Sequence, residues 1–542
     1  MDFQLHWRGR AHFTIFDTGS DFADVLAAWH ADPARPARLH LITLRAGPLP
    51  GFRRVPQADP AITLDLLCAP LDAALAQLDA RLDAICLHDI ADAGTHFARA
   101  LAKLADPGAV LRAAGLTQAQ AHALAGAGFD CSADGSAIKG IFTSRKPPSP
   151  WSRKPETRRR ALVLGAGLAG AAACERLCAR GWHVTLIERH AQLAAEASGN
   201  LAGISMPLLS KDDNIMTRLS RAAFLYGLDY WQALGPIKAA RCGVIQLARD
   251  AQHAQVQRAI AAAHTYPADF ARWMEPAEAT AMAGVAAPDG AWLFPQAGWM
   301  HPASACAAML DACGDALVRH FGVGRVSLAR RDGDWHAIDS AGRSVAQAPV
   351  VIVASGAGAA QLTQTAALPL AAVRGQVTHL AEGELPAIGH VLCREAYLTP
   401  AIDGLHSLGA SYDADPDTSL RADSQHENLG KIRSLLGDGA IGQHAPLAGR
   451  VGFRCVAPDR LPLVGALPDV QTSGRIELLR EIARAPGLYG LLGYASRGLA
   501  WAPLAAELLA SQVDGNPLPL EAELVTALDP ARFLLRARRR PA

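Results

Sequence analysis

A glycine-rich turn followed by an acidic residue is the strongest chemical signal in this sequence of 542 residues. Gly165, Gly167 and Gly170 form a G-x-G-x-x-G pattern directly after the apolar run 161–164. Such a turn brings the backbone N–H groups of a helix N-terminus close to a pyrophosphate. Glu188 ends the next apolar run, at the spacing where an acid accepts hydrogen bonds from a ribose. The pattern predicts a dinucleotide-binding strand–turn–helix–strand unit, and a glycine turn that binds nothing would leave Glu188 unexplained.

The elements that position this turn form a large α/β unit from residue 161 onward. Helical spacing of apolar residues predicts a helix over 213–234, and His301-Pro302 opens another. Strand-like runs follow at 242–247, 348–354, 373–379, 391–400 and 452–454, and the segment 487–499 comes last, followed by a helix. Because the run 348–354 is apolar and ends in a glycine turn at Gly356, it predicts the return of the chain to the cofactor sheet.

Residues 1–144 predict a smaller α/β unit. Its strand-like runs lie at 13–17, 39–44, 82–87 and 138–144, its helical runs lie at 22–29 and 96–104, and a turn is expected at 106–108. Strands that alternate with helices imply a parallel sheet. In the turn after the first strand, Gly19 is the only glycine between Asp17 and Asp21. A turn with a single glycine does not let a nucleotide cofactor approach the backbone closely.

A basic, proline-rich stretch at 145–160 separates the two units, with seven Lys and Arg against one Glu. Its prolines favour an extended linker, which is either simply solvated or able to follow a phosphate backbone. The formal net charge of +1 argues neither for nor against nucleic acid. The ten cysteines include no C-x-x-C pair, and the spacing of Cys174 and Cys178 indicates small buried residues rather than metal ligands. We therefore expect no metal and a reducing cytoplasm.

The start of the chain does not read as a signal peptide, and no apolar run approaches the roughly 18 residues that span a bilayer. The sequence therefore predicts no membrane association.

The second unit resembles the D-amino-acid-oxidase superfamily of FAD enzymes, and within it the oxidoreductase half of the bifunctional MnmC family of tRNA 5-methylaminomethyl-2-thiouridine biosynthesis. The segments that carry this resemblance are 196–203, 373–376, 450–462, 493–499 and the tail 518–540. The resemblance covers about 155–541. It implies an α/β fold in which a Rossmann-like, methyltransferase-type domain precedes a two-part, glycine-oxidase-like FAD domain with a mixed-sheet substrate subdomain.

The resemblance also implies the domain boundaries. They are 1–144 for a shortened and degenerate methyltransferase-like domain, 145–160 for the linker and 161–542 for the FAD-dependent oxidoreductase domain. Within the last, the cofactor part is expected at about 161–240, 300–365 and 452–515, and the substrate part at about 241–299 and 366–451.

The same resemblance assigns a set of residues to FAD. They are Gly165, Ala166, Gly167, Leu168, Gly170, Glu188, Arg189, Ser198, Gly199, Asn200, Val326, Ser355, Gly356, Gly493, Ser496, Arg497, Gly498 and Leu499.

Three residues are expected to act on the substrate. Arg454 aligns with an arginine that clamps the substrate carboxylate in the glycine-oxidase relatives, where only guanidinium offers a planar fork; the alternative is an ion pair with Asp459. Tyr397 aligns with an aromatic hydroxyl that assists the same carboxylate, or is a core tyrosine. Arg497 would lie by the flavin ring and stabilise negative charge on it. Arg374 is a further candidate on the substrate side.

The implied reaction is FAD-dependent removal of the carboxymethyl group from 5-carboxymethylaminomethyl-(2-thio)uridine at the wobble position, giving the 5-aminomethyl uridine and glyoxylate. The implied partner is the anticodon region of tRNA, with the oligomeric state left open. One alternative is a flavin oxidase of a small amine such as sarcosine or glycine. Another makes the N-terminal domain a tRNA-docking or scaffold module, with basic segments 145–160 and 533–540.

The N-terminal domain resembles the family's methyltransferase half but departs from it at the ligand residues. The family's glycine-rich S-adenosylmethionine loop is reduced here to 17–21, and its acidic ribose ligand is replaced by Arg45. The acidic motif at a later strand end reads Cys86-Leu-His88-Asp89-Ile90. Because a cationic Arg45 cannot accept hydrogen bonds from a ribose, we expect S-adenosylmethionine binding and methyl transfer to be lost.

Overall fold

The computed structural model describes residues 4–19, 22–90, 93–144, 156–437, 447–469 and 476–539. Two compact units are present: Met1–Thr157 with Ala510–Thr526, and Arg158–Leu509 with Ala527–Ala542. The expected boundaries need one correction, because residues 510–526 cluster with the first unit rather than with the oxidoreductase domain. Most of the predicted linker, 145–155, lies outside the described residues.

The first unit is built on an eight-stranded sheet. Its strands are His12–Asp17, Arg38–Leu44, Gly51–Pro56, Ile62–Cys68, Leu82–Leu87, Ala105–Ala114, Phe129–Asp134 and Ala137–Phe142. Its helices are Gln4–Trp7, Ala23–Ala31, Leu71–Gln77, Phe97–Leu104 and Gln118–Ala127. Numbered by sequence, the strands lie in the order 3-4-2-1-5-6-8-7.

This order confirms the predicted Rossmann-like architecture. Strands 4, 2, 1, 5 and 6 are parallel, and the order runs in both directions from strand 1. Such an arrangement is doubly wound and has its switch point between strands 1 and 5. Alternate residues of strand 1 enter different cores: Phe16 packs with Ile42, and Ile15 packs with Leu41 on the other face.

Two sequence expectations fail in this sheet. The predicted turn at 106–108 belongs to strand Ala105–Ala114. The strands Gly51–Pro56, Ile62–Cys68 and Phe129–Asp134 were not predicted, because their polar residues break the apolar pattern of a buried strand.

A buried ion network explains why residues 510–526 join the first unit. Arg54 donates to both oxygens of Asp65, at 2.8 and 2.7 Å, and His40 Nε2 lies 2.7 Å from the same carboxylate. The guanidinium of Arg54 also donates to Ser511 Oγ and to the carbonyl oxygen of Pro517, each at 2.8 Å. Burial alone would raise the pKa of Asp65, but Arg54 and His40 more than offset it and hold that pKa below its ordinary value.

The second unit contains a six-stranded cofactor sheet. In spatial order its strands are Leu317–His320, His183–Ile187, Arg160–Leu164, Val350–Val353, Arg484–Leu492 and Leu463–Pro468. The first five are parallel, and the last is antiparallel to its neighbour. Helix Leu168–Cys178 follows Arg160–Leu164 as predicted. Because Val350–Val353 pairs directly with Arg160–Leu164, the glycine turns after these two strands lie at the same sheet edge.

An eight-stranded mixed sheet forms the substrate part. In spatial order its strands are Arg272–Met274, Ala291–Phe294, Val244–Leu247, Val391–Cys393, Tyr397–Leu398, Leu405–Gly409, Ala371–Ala381 and Gly449–Val456. Val244–Leu247 pairs in parallel with Val391–Cys393, and the other pairs are antiparallel. The mixed sheet confirms the fold prediction. However, 452–456, which were expected in the cofactor part, belong to this sheet.

Smaller elements complete the chain. Two three-stranded sheets comprise Gly203–Ser205, Gly298–Met300 and Ala239–Ala240, and Ser327–Arg331, Asp334–Ile338 and Ser344–Ala348. The remaining α-helices are Ile215–Ala233, Ala251–Ala263, Pro276–Ala283, Pro302–Asp311, Ala422–Leu436, Gly498–Asp514, Ala522–Leu528 and Arg532–Arg539. Among the described residues, none of these helices has the length and apolar character needed to cross a bilayer.

Candidate active site

The second unit contains a cavity of about 1360 Å³, which exceeds the roughly 300–1,000 Å³ of most small-ligand pockets. Its wall combines the glycine turn of the cofactor sheet with residues of the mixed sheet, including Tyr397 and Arg454. All the predicted cofactor residues line it except Ala166, Gly170 and Gly199. The volume leaves room for a dinucleotide together with a substrate.

In the turn after strand Arg160–Leu164, the backbone lies close to neighbouring backbone atoms, as its glycines predict. Gly165 has φ +106°, and a Cβ atom there would lie 2.8 Å from the carbonyl oxygen of Ala354. Gly170 packs against the carbonyl of Gly165, so the helix can begin directly behind the turn. At the start of that helix, Ser198 Oγ accepts a hydrogen bond of 3.1 Å from the N–H of Leu168. The helix N-terminus therefore opens into the cavity beside the predicted Ser198 turn.

Two polar side chains support the fit of a dinucleotide in this cavity. The carboxylate of Glu188 is buried and accepts from the backbone N–H of Ala166, at 2.7 Å, and of His190, at 2.9 Å. These bonds fix its orientation, and each oxygen keeps a further lone pair for a ribose hydroxyl. Ser355 Oγ is buried at the cavity wall with no partner among the described residues. A buried hydroxyl without a partner points to a polar ligand.

Arg450 is a supporting residue that the sequence did not single out, although it begins one of the segments that carry the resemblance. Its Nη2 donates to the carbonyl oxygens of Ala195 and Glu196, each at 2.6 Å, and its Nη1 donates to Asn200 Oδ1 at 3.3 Å. A Cβ atom at Gly199 would collide with this guanidinium. Burial lowers the pKa of Arg450, while Glu196 opposes that shift. Arg450 therefore fixes the turn 195–200 through these hydrogen bonds.

Arg454 lies on strand Gly449–Val456 with its guanidinium only partly used. Its Nη1 donates to the carbonyl oxygens of Arg374, at 3.4 Å, and Ser411, at 3.2 Å. Within the described part of the chain, its Nε and Nη2 have no partner, and no carboxylate pairs with it. Among the described residues Arg454 forms no ion pair with Asp459, whose two oxygens accept instead from Arg532, each at 2.9 Å. The guanidinium of Arg454 therefore faces the cavity without a carboxylate partner among the described residues.

Tyr397 and Arg497 line the same cavity as Arg454. Burial raises the pKa of Tyr397, although the nearby charge of Arg454 opposes the shift, so its hydroxyl stays protonated. Burial lowers the pKa of Arg497, and the neighbouring Tyr412 and Cys393 oppose that shift. The structure therefore brings the three predicted catalytic residues together around one space.

Arg374 does not act from the substrate side as expected. Its side chain is fully buried and does not line the cavity. It donates to Asp413 Oδ2 at 3.1 Å and to Gln376 Oε1 at 3.0 Å, and to the carbonyl oxygens of Asp417, at 2.8 Å, and Ser419, at 2.6 Å. The guanidinium therefore holds the loop that follows strand Leu405–Gly409.

In the first unit, the turn after strand His12–Asp17 is closed by its own polar groups. Asp17 Oδ1 accepts from the N–H of Gly19 at 2.7 Å and lies 3.4 Å from His88 Nε2. Thr43 Oγ1 donates to the carbonyl oxygen of Gly19 at 2.6 Å. Burial raises the pKa of Asp17, while Gly19 and His88 oppose the shift. Arg45 is exposed at the next strand end, and 20–21 lie outside the described residues.

These bonds connect the carboxyl ends of strands 1, 2 and 5, where doubly wound sheets bind nucleotides. Thr18 takes part as well, since its Oγ1 donates to the carbonyl oxygen of His88 at 3.0 Å and accepts from the N–H of His88 at 2.7 Å. The described residues of the turn are therefore bonded to the ends of strands 2 and 5 at this switch point.

Comparison with known proteins places this geometry in a family. The FAD dependent oxidoreductase family (DAO) matches residues 160–512. The tRNA 5-methylaminomethyl-2-thiouridine biosynthesis bifunctional protein MnmC of Azoarcus sp. (strain BH72) is 41% identical, over 98% of this chain and 92% of that protein. The corresponding protein of Aromatoleum aromaticum is 40% identical over the same shares of both chains.

Two solved structures share the fold of the second unit. Iminodiacetate oxidase from Chelativorans sp. BNC1 is 25% identical with a TM-score of 0.54, covering 66% of this chain and 96% of that chain. Glycine oxidase from Geobacillus kaustophilus is 20% identical with a TM-score of 0.55, covering 69% of this chain and 99% of that chain. The predicted FAD cofactor and oxidoreductase class are confirmed. With 41% identity across almost its whole length, this chain belongs to the MnmC family of FAD-dependent oxidoreductases.

Proposed function

We propose that this protein removes the carboxymethyl group from 5-carboxymethylaminomethyl-(2-thio)uridine at the wobble position of tRNA, leaving 5-aminomethyl-(2-thio)uridine. The observation that carries the proposal is the partly unpaired guanidinium of Arg454 in the FAD cavity. The side chain of this nucleoside is a glycine with an alkylated nitrogen, and its carboxylate matches the planar fork. The printed names of the curated relatives, which refer to tRNA 5-methylaminomethyl-2-thiouridine biosynthesis, support the choice of nucleoside.

In the proposed reaction, the carbon between the nitrogen and the carboxylate loses a hydride, and FAD held by the Gly165 turn and Glu188 would supply the electron acceptor. The nitrogen loses its proton and forms a double bond to that carbon. Water then adds across the double bond, the carbon–nitrogen bond breaks, and glyoxylate and the primary amine are released. The hydride carries two electrons and one proton and the N–H gives a second proton, so the substrate undergoes one two-electron oxidation and one hydrolysis.

The protein's own residues supply binding and charge. Arg454 binds both carboxylate oxygens, which fixes the adjacent C–H bond in the cavity. Tyr397 lines the same cavity, and its hydroxyl would donate to the same carboxylate. Arg497 adds a positive charge to the cavity, which favours the negative charge that builds up when the cofactor is reduced.

We propose that the reaction sequence of this protein ends at the 5-aminomethyl nucleoside. The S-adenosylmethionine turn of the first unit is closed by the bonds of Gly19 with Asp17 and Thr43. Arg45 occupies the position at which the family has an acidic residue that accepts hydrogen bonds from the ribose. The first unit then serves tRNA docking or packing, and the whole protein acts on the anticodon region of tRNA in the cytoplasm.

The testing experiment is mass spectrometry of nucleosides from tRNA that carries 5-carboxymethylaminomethyl uridine, incubated with the purified holoenzyme. We expect that nucleoside to disappear and 5-aminomethyl uridine to appear in equal amount, together with glyoxylate. An Arg454→Lys holoenzyme with an unchanged flavin spectrum is the control and should convert the tRNA about 10- to 100-fold more slowly. Unmodified tRNA with the wild type would reject the proposal.

A small free amine is the second candidate substrate, and one observation favours it. The fold is shared with an iminodiacetate oxidase at 25% identity, and iminodiacetate is also a secondary amine that carries carboxymethyl groups. Both candidates use the same carboxylate clamp. Turnover of free sarcosine in place of modified tRNA would decide for the smaller substrate.

A further inference from the structure

We propose that Tyr412 is a positioning residue for Arg454, whose guanidinium its ring holds so that the Nε–Nη2 edge is the one presented to the substrate carboxylate. This inference rests on the proposed function, in which Arg454 binds that carboxylate. It goes further, because it names the edge of the guanidinium that binds and the side chain that keeps this edge in place.

One end of the Arg454 guanidinium is already occupied by the backbone. Its Nη1 carries two hydrogens and donates to two carbonyl oxygens, those of Arg374 at 3.4 Å and Ser411 at 3.2 Å. Among the described residues, Nε and Nη2 have no hydrogen-bond partner. A guanidinium binds a carboxylate through two parallel N–H bonds from adjacent nitrogens. Because Nη1 is taken, the Nε–Nη2 edge is left for such a contact.

The ring of Tyr412 holds the same guanidinium from another direction. Its centroid lies 4.1 Å from Arg454 Cζ, and the cation lies over the ring. This distance is well inside the roughly 6 Å at which an aromatic face attracts a cation. The attraction acts on the delocalised charge and uses no hydrogen-bond acceptor. The ring therefore restrains Arg454 and leaves its Nε and Nη2 donors to a carboxylate.

Hydrogen bonds, rather than burial, hold the Tyr412 ring itself. The side chain is 65% exposed, so packing alone restrains it little. Its neighbour Asp413 exchanges two backbone hydrogen bonds with the buried Arg374, at 2.8 and 3.0 Å. At the other end, the hydroxyls of Tyr412 and Ser496 share a hydrogen bond of 2.9 Å. The ring is thus fixed at its backbone and at its tip.

Tyr412 also lies among the three residues assigned to the reaction. It lines the cavity together with Arg454, Tyr397 and Arg497. Burial lowers the pKa of Arg497, and Tyr412 opposes that shift. Burial raises the pKa of Tyr397, and Tyr412 adds to the shift. These interactions put the ring close to every group that we assign to the substrate or the flavin, although it needs no contact with either.

Two substitutions separate the aromatic face from the hydroxyl. Tyr412→Leu removes the face, so that Arg454 becomes ordered only when the carboxylate binds. Ordering one long side chain on binding lowers affinity by about 2- to 10-fold. We expect KM for modified tRNA to rise by about that factor in Tyr412→Leu, with little change in kcat. Tyr412→Phe keeps the face and its backbone anchor and should stay within about twofold of wild type.

Small probes give a readout that a merely structural role would not change. Methoxyacetate has the carboxylate of sarcosine but an ether oxygen in place of the nitrogen, so it can bind without being oxidised to an imine; methoxyacetamide lacks the charge. Each is titrated into the oxidised holoenzyme and followed by the flavin absorbance. We expect Tyr412→Leu to bind methoxyacetate about 2- to 10-fold more weakly and methoxyacetamide as wild type does. Flavin content and melting temperature verify the fold of each variant.

A double-mutant cycle tests whether Tyr412 acts through Arg454. Arg454→Lys replaces the planar fork by a compact ammonium, which binds a carboxylate as a point charge and has no edge to orient. In that background, Tyr412→Leu should change the affinity for methoxyacetate by less than about twofold. The difference between the two backgrounds measures the coupling of the two side chains.

The outcomes separate this inference from the proposed function. Equal losses for methoxyacetate and methoxyacetamide, or equal losses in both backgrounds, would overturn the inference. A Tyr412→Phe variant as poor as Tyr412→Leu would assign the effect to the hydroxyl and overturn it too, as would a wild type without preference for the carboxylate. If the probes behave as expected while modified tRNA is not converted, the role of Tyr412 stands and the tRNA substrate is wrong.

Discussion

Gly375 and Arg454 lie on paired strands of the mixed sheet, and the guanidinium of Arg454 occupies the space that a Cβ atom at Gly375 would need. The position of the Arg454 guanidinium therefore depends on the absence of a side chain at Gly375 on the neighbouring strand. Since the colliding group is the far end of a flexible side chain, a substitution would move the guanidinium rather than unfold the sheet.

We expect Gly375→Ala to lower kcat/KM at least tenfold, because the displaced fork no longer meets both carboxylate oxygens. The bound flavin and the melting temperature should change little. Steady-state kinetics and the flavin spectrum measure the two effects. Gly389→Ala is the matched control, since a Cβ there has open space and Gly389 has no positive φ. Wild-type activity in Gly375→Ala would show that the clamp does not depend on this contact.

Arg454→Lys should reduce kcat/KM by about 10- to 100-fold, the range that the loss of a hydrogen bond to a charged group allows. The reason is that a point charge replaces a two-pronged contact. The flavin spectrum should be retained, because the nucleotide turn is untouched. Arg258→Lys, in an exposed ion pair with Glu275, is a control with the same change of group. Full turnover by Arg454→Lys would remove Arg454 from the binding of substrate.

FAD should be bound tightly but without a covalent bond. Cys393 and Cys455 line the cavity, and burial raises the pKa of Cys393 to about 12 and that of Cys455 to about 11. Since the thiolate is the nucleophile, both side chains are poor candidates for attachment. Acid precipitation should release the flavin into the supernatant. A yellow pellet would contradict this prediction. A purified protein that is colourless before precipitation would contradict FAD binding itself.

S-adenosylmethionine should not bind to the purified protein. The turn at Gly19 is closed by Asp17 and Thr43, and Arg45 cannot accept hydrogen bonds from a ribose. Isothermal titration calorimetry at millimolar ligand would detect even a weak site with a binding free energy of roughly 4 kcal/mol. Measurable binding, or 5-methylaminomethyl uridine formed after addition of the cofactor, would restore methyl transfer as an activity of this chain.

Asp65→Asn should destabilise the first unit by about 3–5 kcal/mol, because it leaves the buried Arg54 without its counter-charge. The pKa of Asp65 is lowered in the folded protein, so its contribution is present above the ordinary value of 3.8 and is lost as the pH falls below it. Thermal unfolding at pH 7 and pH 3 measures this. The exposed Asp134→Asn is the control, and equal melting temperatures for the two variants would show that the network contributes nothing.

The sequence by itself determined the parts of the site that depend on neighbouring residues. The Gly165 turn, helix Leu168–Cys178 and Glu188 form one continuous stretch, in which the spacing of glycines and apolar residues dictates strand, turn and helix. The same holds for the strands His12–Asp17 and Leu82–Leu87, in which apolar residues predominate. Arg454 was assigned from the segment 450–462 and Tyr397 from its alignment with an aromatic hydroxyl of the relatives, and the two residues line one cavity.

Only the tertiary structure decided what each charged side chain does. Arg374 and Arg454 differ by 80 positions and both follow strand patterns, yet Arg374 is buried on the loop of Asp413 while Arg454 faces the cavity. The assignment of 510–526 to the first unit depends on Arg54, more than 450 residues earlier in the chain. The physical reason is that burial and hydrogen-bond partners are set by residues that are distant in sequence, which local spacing does not encode.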